Sequence, residues 1–314
     1  MGQQGTLVQE RPLVQERLDA EGPPAAAPLP TRRLGKTELE VPILGYGSAP
    51  GGMGLPDGEA IGLLHRAIDL GVIYLDTAPG YGQAHKQLCE VLADRRDEVI
   101  VATKAPVDTR QESLDSLTQS LRDLGTDHVD IAYIHNLGPR DADLVLGSDG
   151  ALAGLQEAKR SGMARFIGFT SHSHPAQAAR ALAEHDVDVI MVPVNYGDKH
   201  TYGWERRVLP VAHERDVGIA AMKVYGGATK MHYETPTPAA LTVRGPVDHE
   251  PAMRWALDQA GVAIAVIGMF SATEIEQNVR WAHRARPLTA DERRTLDHEG
   301  KALAESWGEH FGPP

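Results

Sequence analysis

The sequence predicts an α/β barrel of eight parallel strands, a (β/α)8 barrel, preceded by a small hairpin and a polar tail. Three observations carry that expectation. Short apolar, β-branched runs alternate with helix-length segments through most of the chain, the pattern of a parallel sheet joined by crossover helices. The 314 residues suffice for one barrel, which typically needs about 250. Three successive strand-like runs also end in an acid, a lysine and a histidine, and the carboxyl edge of a barrel is where chemistry-bearing side chains collect. On pattern alone a doubly wound open sheet competes. No GxGxxG follows an early strand, which counts against it.

The elements follow in order. Residues 1–30 are rich in Gln, Glu, Ala and Pro and repeat LVQER at Leu7–Arg11 and Leu13–Arg17. Their composition predicts a disordered tail, leaving 31–314 as a single barrel domain. Arg33–Gly47 reads as a hairpin turning at Gly35-Lys36 and leading into the first strand. The Gly-rich stretch Gly45–Gly54 is then the first loop of the functional face. Asp57 is expected to cap a helix running through Leu70, with Gly71 as its stop. Strand Val72–Leu75 follows, then a helix near Gln83–Ala93, a strand at 98–103, a helix near Gln111–Leu124 stopped by Gly125, and strand Val129–Ile134. The longer loop Asn136–Gly150 precedes a helix ending near Ser161-Gly162. Arg165–Phe169 is the next strand, and Pro175 opens the helix after it. Val187–Val192, Val217–Val224 and Val262–Ile267 complete the set, with a last helix from about Ala272.

Composition excludes several classes. A formal net charge of -12 argues against a nucleic-acid or anionic-membrane surface. Cys89 is the one cysteine, so neither an internal disulfide nor a cysteine-ligated cluster is expected. No apolar run approaches the roughly 18 residues of a membrane span. The N-terminus lacks a basic region followed by an apolar core, so no secretory signal is read and a soluble cytoplasmic protein is expected. His172-Ser173-His174 has i, i+2 spacing without a third ligand, and no metal is expected.

The chemistry-bearing stretch is Val72–Gly82, VIYLDTAPGYG. A buried strand gives way to Asp76, a Pro-Gly turn follows, and Tyr81 comes five residues after the aspartate. The run Val99–Thr103 ends in Lys104, and Val129–Ile134 ends in His135. A tyrosine, with an ordinary pKa near 10, can release a proton to an alkoxide, and a neighbouring cation favours its phenolate for the reverse step. Lys104 can be that cation, Asp76 can keep it charged and aimed by pairing with it, and His135 can donate a hydrogen bond to a carbonyl oxygen. Taken singly, Asp76 could cap a turn, Lys104 could be solvated, His135 could sit satisfied in the core and Tyr81 could pack on the rim. All four in this order make an active-site edge the better reading.

The segments DTAPGYG, VIVATK and VDIAYIHN resemble the aldo-keto reductase superfamily, and the resemblance runs from about Arg33 to about Ala285. It implies Tyr81 as general acid/base, supported by Asp76, Lys104 and His135, and NAD(P)(H) lying extended across the barrel mouth without a Rossmann domain. Carried onto this chain, the nicotinamide amide falls to Ser171 and His172, where the family usually has Ser-Asn. Met191 stands where a Gln is usual, and Met222, followed by Lys223, stands where many members stack an aromatic ring. The segment MKVYGG resembles a bacterial branch. Ser48 and Asp76 join the cofactor set. Gly226, Gly227 and the loop to Pro246 would cover the pyrophosphate, since glycines permit close backbone approach. Gly268, Ser271, Gln277 and Asn278 would hold the adenosine.

NADP(H) is expected over NAD(H) on family frequency. A 2′-phosphate nevertheless needs a positive partner. None lies between Ile267 and Gln277, and Arg280 is the nearest on that helix. The substrate pocket is expected from loops near Ser48–Leu55, Asn136–Gly147, Gly197–Trp204 and Ala228–Arg244, with His135 and Trp204 as substrate contacts and His172 and His200 as further candidates. The implied reaction is reduction of an aldehyde, ketone or sugar-like carbonyl to an alcohol, or the reverse. Two alternatives stay open: proton chemistry (elimination or epimerisation) by the same tyrosine and lysine without net redox, and a cofactor-binding regulatory subunit. The expected partner is a small molecule, not a nucleic acid or membrane. The sequence does not give the oligomeric state.

Overall fold

A computed structural model describes residues 28–228, 240–241 and 249–314. Eight parallel strands close into a barrel: β3 (Leu44–Gly47), β4 (Tyr74–Asp76), β5 (Ile100–Ala105), β6 (Val129–Ile134), β7 (Ala164–Thr170), β8 (Val189–Pro193), β9 (Gly218–Met222) and β10 (Val262–Gly268). They follow one another in chain order around the ring, and β10 pairs with β3 to close it. The expected barrel is therefore observed. The expected tail lies almost wholly within residues 1–27, and most of the Ala228–Arg244 loop lies within 229–239 and 242–248. Both fall outside the described residues.

Side-chain alternation along these strands decides what reaches the barrel mouth. Tyr74, Ile100, Ala102, Ile131, Tyr133, Val189, Met191, Ala220, Met222, Ile264 and Val266 pack together inside the ring. The Tyr74 and Tyr133 hydroxyls meet there at 3.1 Å. Counting two residues onward on the same face gives Asp76 after Tyr74, Lys104 after Ala102 and His135 after Tyr133. The strands thus deliver these three side chains above the packed interior, side by side. Residues of the other parity, among them Leu75, Val101, Ala132 and Ile134, join the larger core between barrel and helices.

The hairpin of β1 (Thr31–Arg33) and β2 (Glu40–Pro42) is antiparallel. Its Leu34 and Val41 join the inner cluster, so the hairpin closes one end of the barrel. Several connections differ from expectation. Asp57 is the first residue of the helix Asp57–Asp69, whose cap position is Pro56. Its carboxylate instead accepts hydrogen bonds from Lys86 and Gln87. The loop after β6 carries a short helix, Ala142–Leu146, capped by Asp141. Helices Trp204–Arg207, Leu209–Glu214, Glu250–Leu257 and Ala290–Trp307 were not anticipated. After the last of these, residues 308–314 run back over the β7 and β8 loops. Phe311 N donates to Tyr202 Oη (2.8 Å), Tyr202 Oη donates to the Gly312 carbonyl (3.0 Å), and His174 N donates to the Pro313 carbonyl (2.9 Å). His310 Nε2 stands 2.8 Å from the buried Asp198 carboxylate.

Candidate active site

Asp76, Lys104, Tyr81 and His135 converge at the carboxyl edge of β4–β6. Lys104 Nζ lies 2.7 Å from each Asp76 carboxylate oxygen and 2.9 Å from the Thr77 carbonyl. Both side chains of this pair are almost fully buried, 2% and 6% exposed. The Lys104 ammonium also interacts with Tyr81, sitting 4.7 Å from the centre of its ring. Burial alone would lower the lysine pKa. The Asp76 carboxylate and Tyr81 outweigh burial and hold it above the ordinary range. Burial pushes the Asp76 carboxyl up, against the pull of the ammonium. The Tyr81 and His135 rings stand edge-on, with centroids 6.1 Å apart. Burial, and then the charges of Lys104, Arg140 and Lys223, lower the His135 pKa to about 3. Its imidazole is therefore neutral near pH 7 and can offer one N–H.

Backbone close to these residues is tightly determined. Tyr81 sits in a turn in which Tyr81 N donates to the Ala78 carbonyl and Gln83 N to the Gly52 carbonyl. Gly82 is left-handed, with φ 56°. A Cβ on Gly52 would stand 2.0 Å from the Tyr81 carbonyl oxygen, so only glycine lets helix Ala49–Gly54 approach this turn. After His135, Asn136 is also left-handed, with φ 55°. Its N–H donates to Thr170 Oγ1, and its side-chain oxygen accepts from His172 N, tying the ends of β6 and β7 together. Arg140 Nε donates to the His135 carbonyl.

An open cleft of about 380 Å³ begins at Asp76 and Tyr81 and crosses the mouth of the barrel. Of the residues expected at a site, His172, Met191, Met222, Lys223, Gly227, Gly268, Gln277 and Asn278 line it. Lys104 and His135 stand behind or beside Tyr81 and Asp76. Ser48 adjoins the lining residues Gly47 and Ala49 and is buried, with its Oγ lacking a partner among the described residues. His172 is half-buried, with Nδ1 likewise unpartnered. Burial and the nearby charge of Lys223 hold its imidazole well below the usual pKa. Lys223 has a left-handed backbone, φ 54°, and its carbonyl accepts from Asn195 Nδ2.

Other expected residues are placed differently. Ser171 is fully buried off the cleft, and its hydroxyl donates to the Ser173 carbonyl. Ser271 caps helix Ala272–His283 by accepting from Glu274 N. Gly226 packs on Trp307 behind the lining. Asn278 is largely engaged within the chain: it accepts from Tyr225 Oη and donates to the Glu274 carbonyl. Trp204 must be corrected. It is fully buried in the outer core and does not line the cleft.

The sequence reading missed Tyr225, His249, Phe270, Glu274 and Trp281 as lining residues. The Tyr225 and His249 rings stack at 4.6 Å, and Trp281 stands edge-on to both. Glu274, Gln277, Asn278 and Trp281 share the i, i+3, i+4, i+7 face of one helix, a signal the sequence did offer. Phe311 was also missed. It lies edge-on to His172 at 6.1 Å and beneath Lys223 Nζ at 5.7 Å.

With this geometry in place, similarity to known proteins is informative. A family model described as Aldo/keto reductase family matches residues 43–241. The chain is 33% identical over 223 residues to D-threo-aldose 1-dehydrogenase of a Pseudomonas species, covering 60% of this chain and 67% of that one. It is 26% identical over 296 residues to L-galactose dehydrogenase of Arabidopsis thaliana, covering 83% and 90%. The holo form of an aldo-keto reductase from Bacillus halodurans superposes with a TM-score of 0.72 at 25% identity, over 87% of this chain and 97% of that one.

Proposed function

The chain belongs to the aldo/keto reductase family and is an oxidoreductase, and from that premise we propose that it moves hydride between a nicotinamide dinucleotide and the carbonyl or hydroxyl carbon of a small, sugar-like substrate, with Tyr81 as the general acid/base. The observation that carries the proposal is the buried Asp76–Lys104 pair set against the Tyr81 ring, 4.7 Å from the lysine ammonium, at the head of the cleft.

The donor set suits an extended dinucleotide. The cleft runs from the tetrad to the helix after β10, and Gly47, Gly227 and Gly268 keep its walls low. Ser48 Oγ and His172 Nδ1 are polar atoms near the tetrad with no partner among the described residues. Met191 and Met222 offer polarizable cover for a flat ring. Lys223 and Gly227 would border the diphosphate, and Gln277 and Trp281 the adenosine. When bound, the nicotinamide supplies or accepts the hydride.

The chain's own residues do the rest. In reduction, the Tyr81 hydroxyl gives its proton to the oxygen that becomes alkoxide; in oxidation it takes that proton back. The Lys104 charge stabilises the phenolate that Tyr81 becomes after donating. Asp76 keeps that charge in place, and Thr77 holds the ammonium from the other side. Neutral His135 donates its N–H to the substrate oxygen and so aims it at Tyr81. The names of the sugar dehydrogenases support an aldose or related sugar as the substrate class and oxidation as the working direction.

The test is turnover of a panel of aldoses and aldehydes by the wild type and by Tyr81→Phe, with cofactor binding measured alongside. Loss of a general acid/base should cost about 10²–10⁴-fold in rate while cofactor affinity stays unchanged. Full activity in Tyr81→Phe would show that another group moves the proton.

A further inference from the structure

Along the helix after β10, the one charged residue that lines the cleft is Glu274. Among the described lining residues Lys223 is the one lysine or arginine, and it belongs to the tetrad end, where its charge acts on Asp76, His135 and His172. At the other end the wall is Phe270, Glu274, Gln277, Asn278 and Trp281. Arg66, across from this helix, is paired with Glu276, which is not a lining residue. Lys230 and Arg244 lie outside the described residues.

From this arrangement we infer that the protein selects NAD(H) over NADP(H), with Glu274 as the residue that discriminates. The inference rests on the nicotinamide reading above and deepens it. Hydride exchange at the tetrad fixes the nicotinamide end of the dinucleotide, so the adenosine end must lie along the wall from Gly268 to Trp281. The aromatic faces of Phe270 and Trp281 suit an adenine there. A carboxylate accepts hydrogen bonds from ribose hydroxyls and repels a 2′-phosphate, the logic by which acidic residues mark NAD sites in other folds.

Glu274 also has a structural role that any test must respect. Its Oε2 accepts from Phe270 N at 2.7 Å, and its N–H is capped by Ser271 at 3.2 Å. That bond fixes the carboxylate at the rim of the cleft and occupies only one of its oxygens. Glutamine keeps an acceptor for Phe270 N and removes the charge, so Glu274→Gln separates the electrostatic role from the capping role. The selection expected on the NADP side from family frequency is thus opposed by this chain's own side chains.

The experiment is titration of the purified wild type and Glu274→Gln with NADH and with NADPH, following nicotinamide fluorescence. Calorimetry of the wild type with ADP-ribose and with its 2′-phosphorylated form accompanies it. We expect NADH to bind about tenfold or more tightly than NADPH. The same ratio should hold between the two ADP-ribose probes, and Glu274→Gln should shrink it several-fold, chiefly by improving NADPH binding. Equal or tighter binding of NADPH by the wild type overturns the inference. A preference for NADH that Glu274→Gln leaves unchanged overturns the role of Glu274. Thermal melting of the variant excludes misfolding, and if the variant melts early, the ADP-ribose comparison on the wild type decides selectivity alone. Binding of neither dinucleotide overturns the nicotinamide reading itself, and the inference with it.

Discussion

Along the β4–β6 edge, Asp76, Lys104 and His135 leave three adjacent strands on one face, and the lysine has nearly no solvent contact. Along the β9–β10 edge, the wall is assembled from Lys223 and Tyr225 after one strand, His249 before a helix, Phe270 after another strand, and Glu274 to Trp281 on the helix that follows. The first region is held by rigid strand ends and a buried ion pair. The second is held by ring stacking and by side-chain bonds such as Tyr225 to Asn278. The difference matches what the proposed chemistry would ask of each. Moving a proton requires a fixed charge beside a fixed hydroxyl, since small errors of position cost rate steeply. Holding a long ligand requires area and a few polar contacts, and tolerates many residue types.

The largest effect expected from that contrast is at Lys104. Lys104→Met strands the Asp76 carboxylate, buried without its cation, and should destabilise the fold by about 3–5 kcal/mol as well as abolish turnover. Denaturant unfolding measures the first and a carbonyl assay the second. The double variant Asp76→Asn with Lys104→Met should recover most of the stability and none of the activity, because it removes the stranded charge without restoring the cation. Recovery of activity in the double variant would break the comparison, since it would mean the pair is a fold element only.

A smaller effect is expected at the other end. Tyr225→Phe removes one hydroxyl bond to Asn278 and leaves the ring stacked on His249. A hydrogen bond of this kind contributes about 1 kcal/mol, so dinucleotide affinity should fall a few-fold with kcat unchanged. A large loss of kcat instead would show that the far wall is as tightly coupled to the chemistry as the tetrad is.

The same contrast explains what the sequence made legible. Asp76, Lys104 and His135 announce themselves because each directly ends an apolar run, and strand parity then guarantees that they meet. Tyr81 is legible because only a short turn separates it from Asp76. The far wall has no such local signature. Phe311 is 88 residues beyond Lys223, and nothing in either segment states that they touch. Trp204 misled for a related reason: an aromatic in a loop reads as a pocket residue until it is seen buried in the outer core. Ser171 is placed off the cleft lining, with its hydroxyl donating to the Ser173 carbonyl and its oxygen still able to accept. The long C-terminal helix Ala290–Trp307 was not anticipated, although Thr289 and Glu292 form a capping box at its start; a cap says nothing about where its helix packs. Glu274 sat in plain view on the face that carries Gln277 and Asn278. Its meaning came only from the cleft it faces.

The smallest expected effect is an absence of one, and it bears on the tetrad's electrostatics. A histidine with an ordinary pKa near 6.5 would gain a proton as pH falls from 8 to 5 and impose a limb on the rate profile. Burial and three neighbouring cations lower the His135 pKa to about 3, so its imidazole stays neutral across that window. As pH falls, protonation begins only near that depressed value. The profile of kcat/KM from pH 5 to 8 should therefore show no limb that His135→Asn removes. A limb near pH 6.5 that disappears in His135→Asn would mean that the histidine is protonated in the working enzyme. The β4–β6 edge would then respond to pH within its operating range, and the contrast between a fixed catalytic edge and an adaptable binding wall would have to be redrawn.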